Sequence, residues 1–436
     1  MTATRIRWAL AAAGALATSG ISASNPQPES QRTDAARLAS QIRNQDIEFY
    51  SRRVVRDPRS ARDYAALAGL YLQRARETAD NGDLRRAEWN ARHSLRLRTA
   101  RNGAALGVLA SALLSQHRFA EARGIAGRLV EDDSSSVAAR ALLAETQYEL
   151  GDYAAAGRTL GSLSMYRDNL SVMPRLARWE ELHGHPEEAR SLLRSALQRA
   201  ERTHGMPAEQ LAWFHLRLAD LAGRNGHLSE ADREISAGLA IAPNDYRLLG
   251  AAARLAAVRQ RWSSAIEYGE RALGGALDPA TLGVVGDAYR ALGEDGKSQE
   301  YDRAMEVAVL QQPGPFHRAW SLFLLDHDRD VPRVLAKVRE EIRTRRDIYG
   351  YDLLAWACYK SGDMHQAAVA IDNALSLGTR DGSLLYHAGM IALARGDSLQ
   401  AARYLQRALK VNPYWDPFQP ALARAALARL PLRLAA

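Results

Sequence analysis

Gly362 and Gly396 stand 34 residues apart, and the segments around them are two copies of one unit. LLAWACYKSGDMHQAAVAIDNALSLG (353–378) aligns without a gap on HAGMIALARGDSLQAARYLQRALKVN (387–412). A fixed period of this length means stacked supersecondary units that bury a continuous core between neighbours, because one unit cannot cover its own apolar face. A chain of 436 residues would otherwise suggest two or three domains, but an array grows by adding units to one elongated core.

The period is carried by small residues. The first half of each unit holds a large apolar residue followed by a small one. These pairs are Leu67-Ala68, Leu109-Ala110, Leu143-Ala144, Leu176-Ala177, Leu218-Ala219, Ala252-Ala253, Val285-Gly286, Trp320-Ser321, Leu354-Ala355 and Ala388-Gly389. Twelve residues after the small member comes another small residue in most units: Ala122, Ala156, Ala189, Ala231, Ala265, Ser298, Ala367 and Ala401. Two helices joined by a short turn can cross closely only where side chains are small. Between the two halves sit Gly151-Asp152, Gly184-His185, Gly226-His227, Gly362-Asp363 and Gly396-Asp397. Glycine ends the first helix in a left-handed conformation, and the polar residue starts the second. No run of alternating β-branched residues suggests a strand.

This pattern resembles the tetratricopeptide repeat, over about residues 60–416 as ten units starting near 61, 103, 137, 170, 212, 246, 279, 314, 348 and 382. The last two units and the one at 212–245 are the plainest. The expected fold is an all-α solenoid. The resemblance implies a right-handed superhelix with about eight units per turn, its concave face lined by the first helix of each unit. Three units depart from the pattern. The first has extra residues around Glu77–Gly82, expected in its turn. The unit at 170 has a longer tail, Arg202 to Leu211. In the unit at 314–347 Asp328 replaces the turn glycine and Arg333 occupies a small-residue position, which predicts an irregular register. Residues 35–59 are expected to form an N-terminal capping helix and 417–436 a C-terminal one.

The first 24 residues have the layout of a cleavable signal peptide: Arg5 and Arg7, an apolar run from Trp8, and Ser22-Ala23-Ser24 at the cleavage position. The apolar run is too short to anchor in a bilayer and no lipobox cysteine follows. The expected mature chain begins near Asn25, with a flexible leader at 25–34, and is exported to the periplasm or secreted. Arginine and alanine usage points to a high-GC bacterium.

Net charge is +8 and unevenly placed. Residues 30–101 hold 16 Arg against 9 Asp and Glu, whereas residues 102–436 balance at 40 and 40. A basic N-terminal end suits an anionic ligand or membrane surface. The single cysteine, Cys358, excludes an internal disulfide and reads as an inert buried thiol. No catalytic, cofactor or metal motif occurs. His183 and His185, and the run Asp326-His327-Asp328, lie on turns where polar caps are expected. With nearly all of 35–430 assigned to repeat helices, a catalytic domain has no place to fold, so the chain reads as a non-enzyme that binds a protein or peptide. Nucleic acid is not expected as a partner.

Positions beside the packing stripe of the first helices are the candidate groove. In the last two units these are Tyr349, Asp352, Trp356, Tyr359, Lys360, Tyr386, His387 and Met390, an aromatic sub-site for an apolar or extended peptide. In the middle units Arg175, Arg178, Arg217, Arg224, Arg247 and Arg254, with Glu181 and Asp220 among them, form an arginine sub-site for carboxylates or another anion. The Lys/Asn clamp of some relatives is missing here.

Overall fold

The computed structural model describes residues 29–311 and 318–430, and side-chain burial from residue 38. The segment expected to be a signal peptide lies outside the described residues. Among the described residues there are 22 α-helices and one short 3-10 turn, and no strand. The fold is an all-α solenoid.

After α1 (Glu29–Arg56) the helices pair consecutively. The first members are α2 (Ala61–Thr78), α4 (Gly103–Ser115), α6 (Val137–Glu149), α8 (Met173–Leu182), α10 (Ala208–Arg224), α12 (Tyr246–Val258), α14 (Pro279–Ala291), α16 (Arg318–Asp326), α18 (Ile348–Ser361) and α20 (Gly382–Ala394). Their partners are α3 (Asn81–Leu97), α5 (Phe119–Asp132), α7 (Tyr153–Gly161), α9 (Pro186–Glu201), α11 (Leu228–Ile241), α13 (Trp262–Leu273), α15 (Asp295–Gln311), α17 (Val331–Glu341), α19 (Met364–Ala374) and α21 (Ser398–Val411). Helix α22 (Gln419–Arg429) closes the array.

The small residues sit where the crossings need them. Ala110 and Ala122, Ala144 and Ala156, and Ala355 and Ala367 are all fully buried. Enlarging any of them would overpack a helix crossing at about 1–3 kcal/mol. The turn glycines Gly151, Gly184, Gly226, Gly362 and Gly396 all have φ between 75° and 87°. Asp152, Asp363 and Asp397 then cap the second helix, accepting hydrogen bonds from the amides of Ala155 (3.2 Å), Gln366 (3.0 Å) and Gln400 (3.0 Å). Such a cap stabilises by about 1 kcal/mol. His185 and His227 make no such side-chain cap.

Several expectations are corrected. The leader expected at 25–34 is helical from Glu29, so α1 begins before residue 35. The extra residues of the first unit lengthen its helices to 18 and 17 residues and leave only Ala79 and Asp80 between them. The tail after 202 ends at Pro207, where α10 starts, four residues ahead of the expected unit start. The unit at 314–347 is irregular as expected. Its turn uses two left-handed aspartates, Asp328 and Asp330, and Arg333 swings outward while Val334 fills the crossing.

The superhelix closes on itself. The first-to-second-helix turns of three successive units dock onto inter-unit linkers almost two hundred residues later. Arg346 N–H donates to Leu150 C=O (3.0 Å), and Ile348 N–H to the Tyr153 hydroxyl (2.8 Å). The Thr379 hydroxyl donates to Leu182 C=O, and the Asn412 amide to Gly223 C=O (3.0 Å). Trp262 then stacks on Phe418 at 5.7 Å. The separations across these hydrogen bonds run from 189 to 197 residues, just under six periods of 34. One superhelical turn therefore takes about six units rather than the eight implied by resemblance. Glycine is needed for the approach: a Cβ on Gly184 would lie 2.6 Å from the Gly378 carbonyl oxygen, and one on Gly151 2.2 Å from that of Arg346.

Candidate functional site: a charged central cavity

The concave face of the first seven units holds a cavity of about 1670 Å³. Its wall is built mainly from α2, α4, α6, α8, α10 and the start of α12, all first helices. Helix α10 spans it with Glu209, Trp213, Arg217 and Arg224, spaced by multiples of one or two turns and so on one face. Helix α6 adds Glu145, Tyr148 and Glu149, and α8 adds Arg175 and Arg178. Leu142, Leu170, Met206 and Phe214 supply apolar wall between the charges.

The charges are not evenly matched. Glu181, at the C-terminal end of α8, is gripped by three arginines. Arg224 reaches its Oε1 at 2.7 Å; Arg178 and Arg217 reach its Oε2 at 2.8 and 3.3 Å. Burial opposes ionisation here, but Arg224, Arg178 and Arg217 outweigh it and hold the Glu181 carboxyl well below the usual range. By contrast Arg175 has one carboxylate partner, Glu145, at 2.6 Å, and also donates to the Ser171 backbone carbonyl at 2.6 Å. Arg247 is paired with Asp245 at 2.5 Å and donates to the Glu209 backbone carbonyl. Arg76 reaches in from α2 without forming a salt bridge to any described residue, although it feels the charge of Glu209. Burial pushes the Glu209 carboxyl up to about 7, only partly opposed by Arg76 and Arg247, and its Oε2 has no hydrogen-bond partner.

The candidate residues divide differently from the two expected sub-sites. Arg217, Arg224 and Arg247 line the cavity. Tyr349 is not on that wall but contacts it across the superhelical turn: the Arg178 guanidinium lies over its ring at 5.2 Å and that of Arg318 at 5.0 Å. Arg254 pairs with Asp220 at 3.5 Å outside the cavity wall. The remaining C-terminal candidates belong to the packing between units. Asp352 is wholly buried, accepting from Arg318 (2.9 Å) and hydrogen-bonded to His387 Nδ1 (2.7 Å). Trp356 donates to Asp326 (2.8 Å) and is stacked between Tyr359 (4.7 Å) and His387 (4.1 Å). Tyr386 is buried against Trp356 and Trp415. Lys360 pairs with Asp328 at 2.7 Å, and Met390 packs half-buried on the core. The expectation of an accessible aromatic groove at Asp352, Trp356, Tyr386 and His387 is thus corrected: the one-period spacing that faces each residue inward also places a partner from the next unit over it.

Arg76, Glu209 and Trp213 went unnoticed in the sequence. The signal for Glu209 and Trp213 was the α10 spacing Glu209, Trp213, Arg217, Arg224, which starts before the expected unit boundary; Arg76, on α2, lies outside that pattern. His183 and His185 bond to the Trp179 carbonyl and to Glu180; His327 bonds to the Phe323 carbonyl and Asp287. Among the described residues no three His, Cys, Asp or Glu side chains are grouped to hold a metal ion. No described helix is long and apolar enough to cross a membrane.

The tetratricopeptide repeat family profile matches residues 113–172, from late α4 to the segment after α7. No curated protein matches the sequence. Three solved structures are similar to this chain over most of their length. The Cut9–Hcn1 hetero-tetramer of the APC/C is 14% identical, covering 92% of this chain and 95% of that one, with a TM-score of 0.35. Yeast Tom70 is 12% identical, covering 93% and 97%, with a TM-score of 0.36. The human IFIT1 dimer with PPP-AAAA is 15% identical, covering 80% and 90%, with a TM-score of 0.44.

Proposed function

We propose that this chain, a tetratricopeptide-repeat protein, is a non-catalytic scaffold of a bacterial cell envelope that binds a segment of a partner protein inside its central cavity. The observation that carries the reading is the cavity. It is larger than the roughly 300–1,000 Å³ typical of small-molecule pockets, and charged and apolar groups alternate along its wall. A peptide in extended form presents both kinds of group. The layout of the first 24 residues supports export to the periplasm or beyond. A non-catalytic role is supported by the use of α2 to α21 in the array itself.

The alternative site, the basic N-terminal end, is favoured less because much of its charge is spent internally. Arg43 pairs with Glu77, Arg53 with Asp63, Arg74 and Arg86 with Asp83, and Arg92 with Glu88.

The test is photo-crosslinking in the native cell, with a photoreactive phenylalanine analogue placed singly at Trp213, Val369 or Trp89. Trp213 lines the cavity, whereas Val369 and Trp89 are exposed on second helices. The reading expects a discrete protein adduct from Trp213 alone. Adducts from Trp89 alone would favour the N-terminal surface, and adducts from Val369 alone would place binding on the outer face.

A further inference from the structure

We infer that the segment held in the cavity is acidic, and that Arg178, Arg217 and Arg224 are its anchor. The inference rests on the cavity being the binding site and adds the chemistry of what enters it. Three guanidiniums surround the carboxylate of Glu181, with contacts of 2.7, 2.8 and 3.3 Å, and only Arg217 reaches a second carboxylate, Asp220 at 3.8 Å, so the cluster keeps an excess of positive charge at the cavity wall. Each guanidinium has five N–H donors in a planar fork. Glu181 occupies one nitrogen on each, which leaves donors to receive a second carboxylate in the two-pronged geometry that arginine favours. Their side chains are 18, 20 and 34% exposed, so they are largely desolvated but reachable. An anion arriving there meets groups already stripped of most water and held in place by Glu181.

The neighbourhood decides which anion. Glu145, Glu149 and Glu209 line the same wall, and Tyr349 lies over Arg178. A continuous polyphosphate backbone would be driven against those carboxylates along its length. A peptide carries its carboxylates separately and can set one at the arginine cluster and another at Arg76, which has no salt bridge to a described residue. The Trp213 ring and the apolar wall then receive the aliphatic stems between them. Glu181 emerges as a placeholder: it orders the arginines and competes with the ligand for them.

The test uses the full chain and fluorescence anisotropy at low salt. The probes are fluorescein-labelled decaglutamate, decalysine and a ten-nucleotide oligothymidylate. The expected result is binding of decaglutamate only, weakened at least tenfold in the Arg217→Gln/Arg224→Gln variant and unchanged in Arg407→Gln on the outer helix α21. Glu181→Gln is expected to bind decaglutamate several-fold more tightly, a sign that structural damage does not produce. The inference is overturned by no decaglutamate binding, by equal binding of oligothymidylate, by binding that survives Arg217→Gln/Arg224→Gln, or by weaker binding in Glu181→Gln. If Trp213 crosslinks a partner in cells while decaglutamate fails to bind, the cavity reading stands and only the acidic ligand falls. If both fail, the cavity is not the site.

Discussion

Gly184 and Gly362 occupy equivalent turns, yet replacing each by alanine is expected to have different consequences. Both have positive φ, 78° and 87°, so alanine at either costs about 1–2 kcal/mol of left-handed strain. Nothing lies within 4 Å of a Cβ at Gly362, so the cost ends there. At Gly184 the Cβ would stand 2.6 Å from the Gly378 carbonyl oxygen, well inside contact distance, and that oxygen is backbone that cannot swing aside. The superhelical turns must separate to relieve it. Separation stretches the buried hydrogen bond from Thr379 to Leu182, worth about 1 kcal/mol, and strips nearby packing. Gly184→Ala is therefore expected to destabilise by about 3 kcal/mol against about 1–2 for Gly362→Ala. The assay pairs denaturant unfolding with a distance measurement between spin labels on His185→Cys and Arg380→Cys, exposed positions on either side of the seam. Gly184→Ala should lengthen and broaden that distance, while Gly362→Ala leaves it alone. Equal destabilisation with an unchanged distance would refute the claim that the turns are clamped together.

Three other predictions follow from buried groups. Burial raises the Glu209 carboxyl to about 7 from 4.5, so the folded chain holds this proton more tightly than the unfolded chain and stability falls as pH rises between those values. Glu209→Gln should therefore melt higher than the parent above pH 7 and converge with it below pH 4.5, as read by circular dichroism. Trp356→Ala removes a buried ring and leaves Asp326 without its Nε1–H donor; a loss of about 3–5 kcal/mol is expected, measured by urea unfolding of the last units. Cys358 is wholly buried and burial raises its thiol pKa, so it should resist a thiol reagent until urea unfolds the chain.

Local packing was legible in the chain and long-range closure was not. Ala110 and Ala122 announce a helix crossing because the two residues that meet are twelve apart and joined by a short turn. The contact of Thr379 with Leu182 depends on a small rotation per unit accumulated over almost six units, which no local pattern encodes. The aromatic sub-site failed for a related reason. Asp352 looks like a surface residue in its own helix, but Arg318 lies 34 residues before it and His387 35 after it. Charges spaced by one period make ladders between neighbouring units, as Arg254 does with Asp220 and Arg217 with Glu181. That spacing is visible in the sequence and separates interface charges from groove charges. The Glu181 cluster was visible only in part, because Arg217 follows the ladder and Arg178 lies one turn from Glu181 on the same helix, while Tyr349 arrives across the seam.

The proposed function puts a partner segment within the central cavity. Its most direct test is amide hydrogen exchange of the chain with and without the protein captured through Trp213. Added protection is expected in α6, α8 and α10, with little change in the second helices α19 and α21. Protection confined to α1, α3 or the outer helices would contradict it.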